Sequence, residues 1–140
     1  MTQRILYVED HPNNRLLVQR IVEAEGFTFL TAVDGESGWE TAVSQKPDLI
    51  LMDLHLPGTL NGFQLTQKIT QYAPLAHIPI IALTAFGNDE AEQAALDAGC
   101  IDFLRKPADI RQIRQTIHQY LNESPLVITE SDTAVTFNYI

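Results

Sequence analysis

The sequence predicts an α/β fold in which a parallel sheet carries helices on both faces, and three observations lead to it. Short β-rich apolar runs alternate with longer stretches of helical period in five successive units along the 140 residues. The runs are almost continuously apolar, as strands buried on both faces must be. Polar residues able to do chemistry close four of them: Glu9-Asp10 after Ile5–Val8, Asp53 after Leu49–Met52, Thr84 after Ile78–Leu83, and Lys106-Pro107 after Ile101–Leu104. Parallel strands bring such ends to one edge.

The first strand is expected over Arg4–Val8. The helix after it should start near Asn13, with Leu17, Ile21 and Ala24 stacked on its buried face, and stop at Gly26. Phe27–Ala32 is the second strand, and Gly35–Gln45 a helix with Trp39 and Val43 on one face. Lys46-Pro47-Asp48 breaks that helix before the third strand, Leu49–Asp53. A turn-rich loop from Leu54 to Gly62 leads to a helix with Leu65, Ile69 and Tyr72 in register. The fourth strand spans Ile78–Thr84. A slim helix from about Asn88 presents Ala91, Ala94, Ala95 and Ala98, and Gly99 ends it. The fifth strand is Ile101–Leu104. The last helix opens with Asp109 and Gln112 at capping-box spacing and buries Ile110, Ile113, Ile117 and Leu121.

Residues 1–122 therefore read as one domain, and 123–140 as an extension. In the extension Val135, Phe137 and Tyr139 alternate with Thr136 and Asn138. That pattern suits either a disordered end or a strand that pairs with a sheet edge or a second chain, so a homodimer stays open.

Composition excludes several classes of function. A net charge of −9, with only 9 Lys and Arg, argues against nucleic acid or an anionic membrane as partner. No signal-like segment and no span of about 20 apolar residues occurs. The single cysteine, Cys100, cannot form an internal disulfide and reads as a small core residue. A cytoplasmic location is the expectation. His11, His77 and His118 lack metal-ligand spacing and read as surface residues.

Glu9, Asp10 and Asp53, brought to one edge with the Thr84 hydroxyl and the Lys106 amine, would equip a pocket for a divalent cation and a phosphoryl group. Crowded carboxylates repel one another, so without a cation at least one should become harder to ionise. Mg²⁺ suits the site better than zinc because every side-chain donor is a hard oxygen.

The blocks Tyr7-Val8-Glu9-Asp10, Leu51-Met52-Asp53-Leu54-His55-Leu56-Pro57-Gly58, Ala82-Leu83-Thr84-Ala85 and Arg105-Lys106-Pro107 occur together and in order. With them the chain resembles a CheY-like receiver domain of a two-component response regulator, over about Arg4 to Asn122. The resemblance implies a flavodoxin-like, doubly wound five-stranded sheet in the order 2-1-3-4-5, an arrangement the general rule for such sheets illustrates with this family. It implies that Asp53 accepts a phosphoryl group from a phosphohistidine on a sensor histidine kinase or phosphotransfer protein. Glu9, Asp10, Asp53 and the backbone carbonyl of His55 would hold Mg²⁺. Thr84, with Ala85 beside it, and Lys106 would bind the phosphoryl oxygens. Thr84 and Phe103 would form the switch that alters a surface for a downstream protein target, and Lys106-Pro107 would carry a cis peptide bond. His55 and Phe86 would overhang the phosphoryl group, Phe86 slowing its loss to water.

The segment Pro57–Gly62 is one residue longer than the family's common loop and has Asn61 where Asp is frequent. An aspartate phosphatase of the haloacid-dehalogenase type would want a second Asp at the place of His55. A flavodoxin-like nucleotide binder would want a phosphate loop where Glu9-Asp10-His11-Pro12 stands. A receiver that works without phosphate would not need Asp53, Thr84 and Lys106 intact. The expectation is a phosphoacceptor switch rather than an enzyme. A single-domain protein is expected from the short extension, with the receiver piece of a larger hybrid kinase as the alternative.

Overall fold

The computed structural model describes residues 2–85 and 88–121. Five parallel strands, β1 (Arg4–Val8), β2 (Thr28–Ala32), β3 (Leu49–Met52), β4 (Ile80–Thr84) and β5 (Asp102–Arg105), lie in the order β2-β1-β3-β4-β5. The helices are α1 (Pro12–Ala24), α2 (Gly35–Gln45), α3 (Gly62–Thr70), α4 (Asp89–Ala98) and α5 (Ile110–Leu121), with a short 3₁₀ turn at Ala73–Leu75. The order is the one implied by the resemblance. Among the described residues no helix is long and apolar enough to cross a membrane.

Two-residue periodicity divides the strand side chains between two cores. Leu6, Val8, Ile50, Met52, Ile80 and Ala82 face one side, where Ala42, Leu65, Ile69 and Ala95 from α2, α3 and α4 cover them. Ile5, Tyr7, Leu49, Leu51, Ile81 and Leu83 face the other, under Val18, Ile21, Val22, Ile113, Ile117 and Leu121 from α1 and α5. Every residue of β3 and β4 is buried, which explains their unbroken apolar runs.

Local chemistry sets the helix starts. Asp34 accepts from the Ser37 amide at 2.8 Å, Asn61 from Gln64 at 2.9 Å, Asn88 from Ala91 at 2.7 Å and Asp109 from Gln112 at 2.7 Å. Each satisfies an amide that the helix itself leaves unbonded. Helix α1 instead starts at Pro12, with His11 as N-cap and no side-chain cap. This corrects the start expected at Asn13: a proline at the first helical position has its φ already set and needs no partner for an amide hydrogen.

Several expected burials shift. The buried stripe of α1 is Val18, Ile21 and Val22, while Leu17 is 42% exposed and Ala24 is exposed. The two stripes share Ile21 and differ by a small rotation about the helix axis, which apolar spacing alone does not resolve. Ile110 opens α5 and is 48% exposed, whereas Ile113, three residues on, is buried. In α4, Ala95 and Ala98 are buried but Ala94 is exposed. Strand β5 pairs from Asp102, and Ile101, before it, is 49% exposed. Strand β4 begins at Ile80, just after Pro79, which has no amide hydrogen to give a ladder. Helix α3 ends at Thr70, so Tyr72 lies beyond it, its ring set edge-on against Trp39 at 5.3 Å. Cys100 is buried, and His11, His77 and His118 are exposed. The strand pattern read in the extension and the role given to Phe86 lie outside the described residues.

Candidate functional site

Because all strands run the same way, the segments after β1, β3, β4 and β5 emerge at one edge. The chain leaves β1 toward one side of the sheet and β3 toward the other, which opens a crevice between their ends. Glu9 and Asp10 follow β1, and Asp53 follows β3, its amide donating to the Val8 carbonyl at 3.1 Å. Glu9, Asp10 and Asp53 each place a carboxylate oxygen within 4.8 Å of the others. Asp10 is exposed, whereas Glu9 and Asp53 are 1% and 6% exposed.

Lys106 comes from the far side of the sheet. Its amide donates to the Thr84 carbonyl at 2.8 Å, and the Lys106–Pro107 peptide bond is cis. The ammonium donates to Glu9 Oε1 and lies 3.6 Å from Asp53 Oδ2. Thr84 is the last residue of β4, fully buried, and its Oγ1 has no hydrogen-bond partner among the described residues. An orphaned hydroxyl in a buried position is costly unless an acceptor or donor arrives there.

Glu9 is the most heavily bonded group of the site. Its Oε1 accepts from the Tyr7 hydroxyl at 2.8 Å and from Asn14 Nδ2 at 3.4 Å as well as from Lys106, and its Oε2 accepts from the His11 amide at 3.1 Å. Burial works against its ionised form, but the bonds from Lys106, Tyr7 and His11 outweigh it and hold the carboxyl below its usual value. Asp53 goes the other way. Burial and the neighbouring Glu9 charge push it up to about 6, against the opposing pull of Lys106 and the His55 amide. The rise expected among crowded acids therefore falls on Asp53, because Lys106 sits on Glu9.

The remaining predicted residues lie around this centre. His55 is exposed; its amide donates to Asp53 Oδ1 at 3.2 Å and its ring meets Phe63 edge-on. Ala85 is exposed beside Thr84. Phe103 is half-buried on β5 and packs against the core under α2, α3 and α4. The loop between β3 and α3 is tied to α2 by Thr59 Oγ1, which donates to Glu36 Oε2 at 2.7 Å. Tyr7 and Asn14 were not singled out from sequence. The available signal for Tyr7 was its place two residues before Glu9, a spacing that puts two side chains on the same side of an extended chain.

The site suits a hard divalent cation: three carboxylates, two of them buried, converge with no sulfur or imidazole donor among them. A response regulator receiver domain model matches residues 5–118. The chain is 33% identical over 124 residues to the polar-differentiation response regulator DivK of Brucella ovis, covering 89% of this chain and all of that one. The receiver domain of sensor histidine kinase PA1611 from Pseudomonas aeruginosa, solved with a magnesium ion in its active site cleft, superposes with a TM-score of 0.80 at 31% identity, over 88% of this chain and all of that one. The receiver domain of NtrX from Brucella abortus superposes with a TM-score of 0.78 at 30% identity, over 86% of this chain and 99% of that one. The chain belongs to the response regulator receiver domain family, whose members serve as phosphorylation switches in two-component signalling.

Proposed function

We propose that Asp53 is the phosphoacceptor of a Mg²⁺-dependent switch that is charged by a histidine kinase or phosphotransfer protein and read by a downstream protein. The observation that carries this is the setting of the Asp53 carboxylate, between the acids Glu9 and Asp10 and the Lys106 ammonium, with the Thr84 hydroxyl, unpartnered among the described residues, at the neighbouring strand end. Glu9, Asp10, Asp53 and the His55 carbonyl would hold Mg²⁺. When bound, the ion offsets the negative charge of the carboxylates and of the incoming phosphoryl group.

Asp53 supplies the nucleophile. A carboxylate oxygen forms a bond to phosphorus while the bond from phosphorus to the donor breaks, and the donor leaves with the electron pair. Lys106 is close enough to meet the phosphoryl oxygens once it gives up Glu9. The Thr84 hydroxyl gains in the acyl phosphate an acceptor it does not have among the described residues. One or two charge-assisted hydrogen bonds of about 1.5–3 kcal/mol each favour the form with Thr84 drawn inward by roughly tenfold or more. Phe103, half-buried beside that site, then follows, altering the surface of α4, β5 and α5. The receiver unit on this reading is residues 1–122, works in the cytoplasm, and acts as a switch rather than as a turnover enzyme.

Incubation with acetyl phosphate and Mg²⁺ followed by intact-mass analysis tests the reading. Wild type gains one phosphoryl group and Asp53→Asn gains none. Steady release of phosphate without accumulation would favour a phosphatase instead.

A further inference from the structure

The hydroxyl of Tyr7 is a polar group at the end of a fully buried side chain, in a strand where its neighbours Ile5, Leu6 and Val8 are apolar and buried. Phenylalanine would fill the same space. Among the described residues the hydroxyl has one partner, Glu9 Oε1 at 2.8 Å, the oxygen that also takes the Lys106 ammonium. A phenol is an O–H donor at neutral pH, and the carboxylate oxygen accepts from it.

This oxygen is where two demands on the site conflict. Glu9 is buried, and a buried carboxylate needs donors. Lys106 is its strongest donor, yet Lys106 must turn to the phosphoryl group on Asp53. If Lys106 left and Tyr7 carried no hydroxyl, Oε1 would keep only the 3.4 Å bond from Asn14. With Tyr7 present, Oε1 keeps a 2.8 Å bond and Oε2 keeps the His11 amide at 3.1 Å.

We propose that Tyr7 is a positioning residue for phosphoryl transfer, whose hydroxyl holds the Glu9 carboxylate and thereby releases Lys106 to the phosphoryl group at Asp53. This rests on the reading of Asp53 as phosphoacceptor. Tyr7 acts through Glu9 and touches neither donor nor phosphoryl group.

The test uses the full chain and the Tyr7→Phe variant. The rate of phosphoryl uptake from acetyl phosphate at saturating donor and Mg²⁺ falls roughly tenfold, the lower end of what a hydrogen bond to a charged group is worth, and the half-saturating donor concentration stays the same. In a Glu9→Gln background the same change alters the rate by less than about twofold, because no buried charge then holds Lys106. A second readout is the Lys106 ε-methylene NMR signal, which shifts on adding beryllofluoride and Mg²⁺ in wild type and shifts less in Tyr7→Phe. Equal rates in wild type and Tyr7→Phe would overturn the proposal. So would an equal loss in both backgrounds, which would mark Tyr7 as a packing residue. Failure of wild type itself to take up a phosphoryl group would overturn the acceptor reading, and this inference with it.

Discussion

The Lys106 ammonium bonds Glu9 and also stands 3.6 Å from Asp53 Oδ2, so one cation from the end of β5 serves two buried acids from the ends of β1 and β3. Removing it leaves both acids buried without the ammonium that now pairs with them. Loss of one member of a buried ion pair typically costs about 3–5 kcal/mol. Lys106→Ala is therefore expected to lower the urea unfolding midpoint at neutral pH, with excess Mg²⁺ restoring part of the loss. An equal loss with and without Mg²⁺ would show that the ion and the ammonium do not act on the same carboxylates.

A second prediction concerns pH. Asp53 titrates at about 6 in the folded protein against an ordinary value of 3.8, because burial and Glu9 disfavour its charge. The folded state thus binds this proton more tightly than the unfolded chain. The resulting stabilisation is fully present below about pH 3.8 and is lost as pH rises through about 6. At pH 7 in metal-free buffer Asp53→Asn, which has no charge to bury, is expected to be more stable than wild type by on the order of 2 kcal/mol. The difference shrinks as the pH approaches 4. Urea melts of both proteins across that range check it, and a difference independent of pH would count against it.

The parts of this site that could be read in advance are those fixed by strand ends. Asp53, Thr84 and Lys106 each close an apolar run, and once the runs are parallel strands their ends must share an edge, whatever the details of packing. Glu9 was legible as an acid of that edge, but its near-complete burial was not, because it depends on Tyr7, Asn14 and Lys106 arriving from β1, α1 and the end of β5. Fold details follow the same division. The alternation of strands and helices is a local property. Which of Leu17 and Val18 faces the core depends on how α1 is rolled against the sheet, and that is decided by contacts with β1 and α5. Ile110 and Ile101 are 48% and 49% exposed, one opening α5 and the other lying just before β5, and apolar character alone does not mark such boundary positions.

The buried Thr84 hydroxyl gives a third prediction. It has no partner among the described residues, so Thr84→Val removes an unsatisfied polar group and leaves the packing volume almost unchanged. The unphosphorylated protein is expected to keep its stability or to gain about 1 kcal/mol. On the function proposed above, the phosphorylated form of the variant would lack the bond from the Thr84 hydroxyl to the phosphoryl group. At steady state with acetyl phosphate, the phosphorylated fraction seen by intact mass falls below that of wild type. A clear loss of stability in the unphosphorylated variant would mean that the hydroxyl is already bonded in the resting protein.

Gly62 shows how closely the loop after Asp53 is held. A Cβ at this position would stand 2.2 Å from the Asp53 carbonyl oxygen and 2.6 Å from Leu54 Cα, both backbone atoms that cannot swing aside. The Gly62 amide donates to the Leu54 carbonyl at 3.2 Å, so the start of α3 is stapled to the segment that follows Asp53. Gly62→Ala must therefore push α3 away from Asp53 or push Asp53 toward Glu9. Either movement is expected to cost more than about 2 kcal/mol of stability, the range of overpacking in a tight interior. It should also slow phosphoryl uptake even at temperatures where the variant is folded, because small displacements of a nucleophile weigh heavily on rate. Urea melts and acetyl phosphate kinetics on the same preparation separate the two effects: a destabilised variant with an unchanged rate would mean that α3 yields while Asp53 keeps its place.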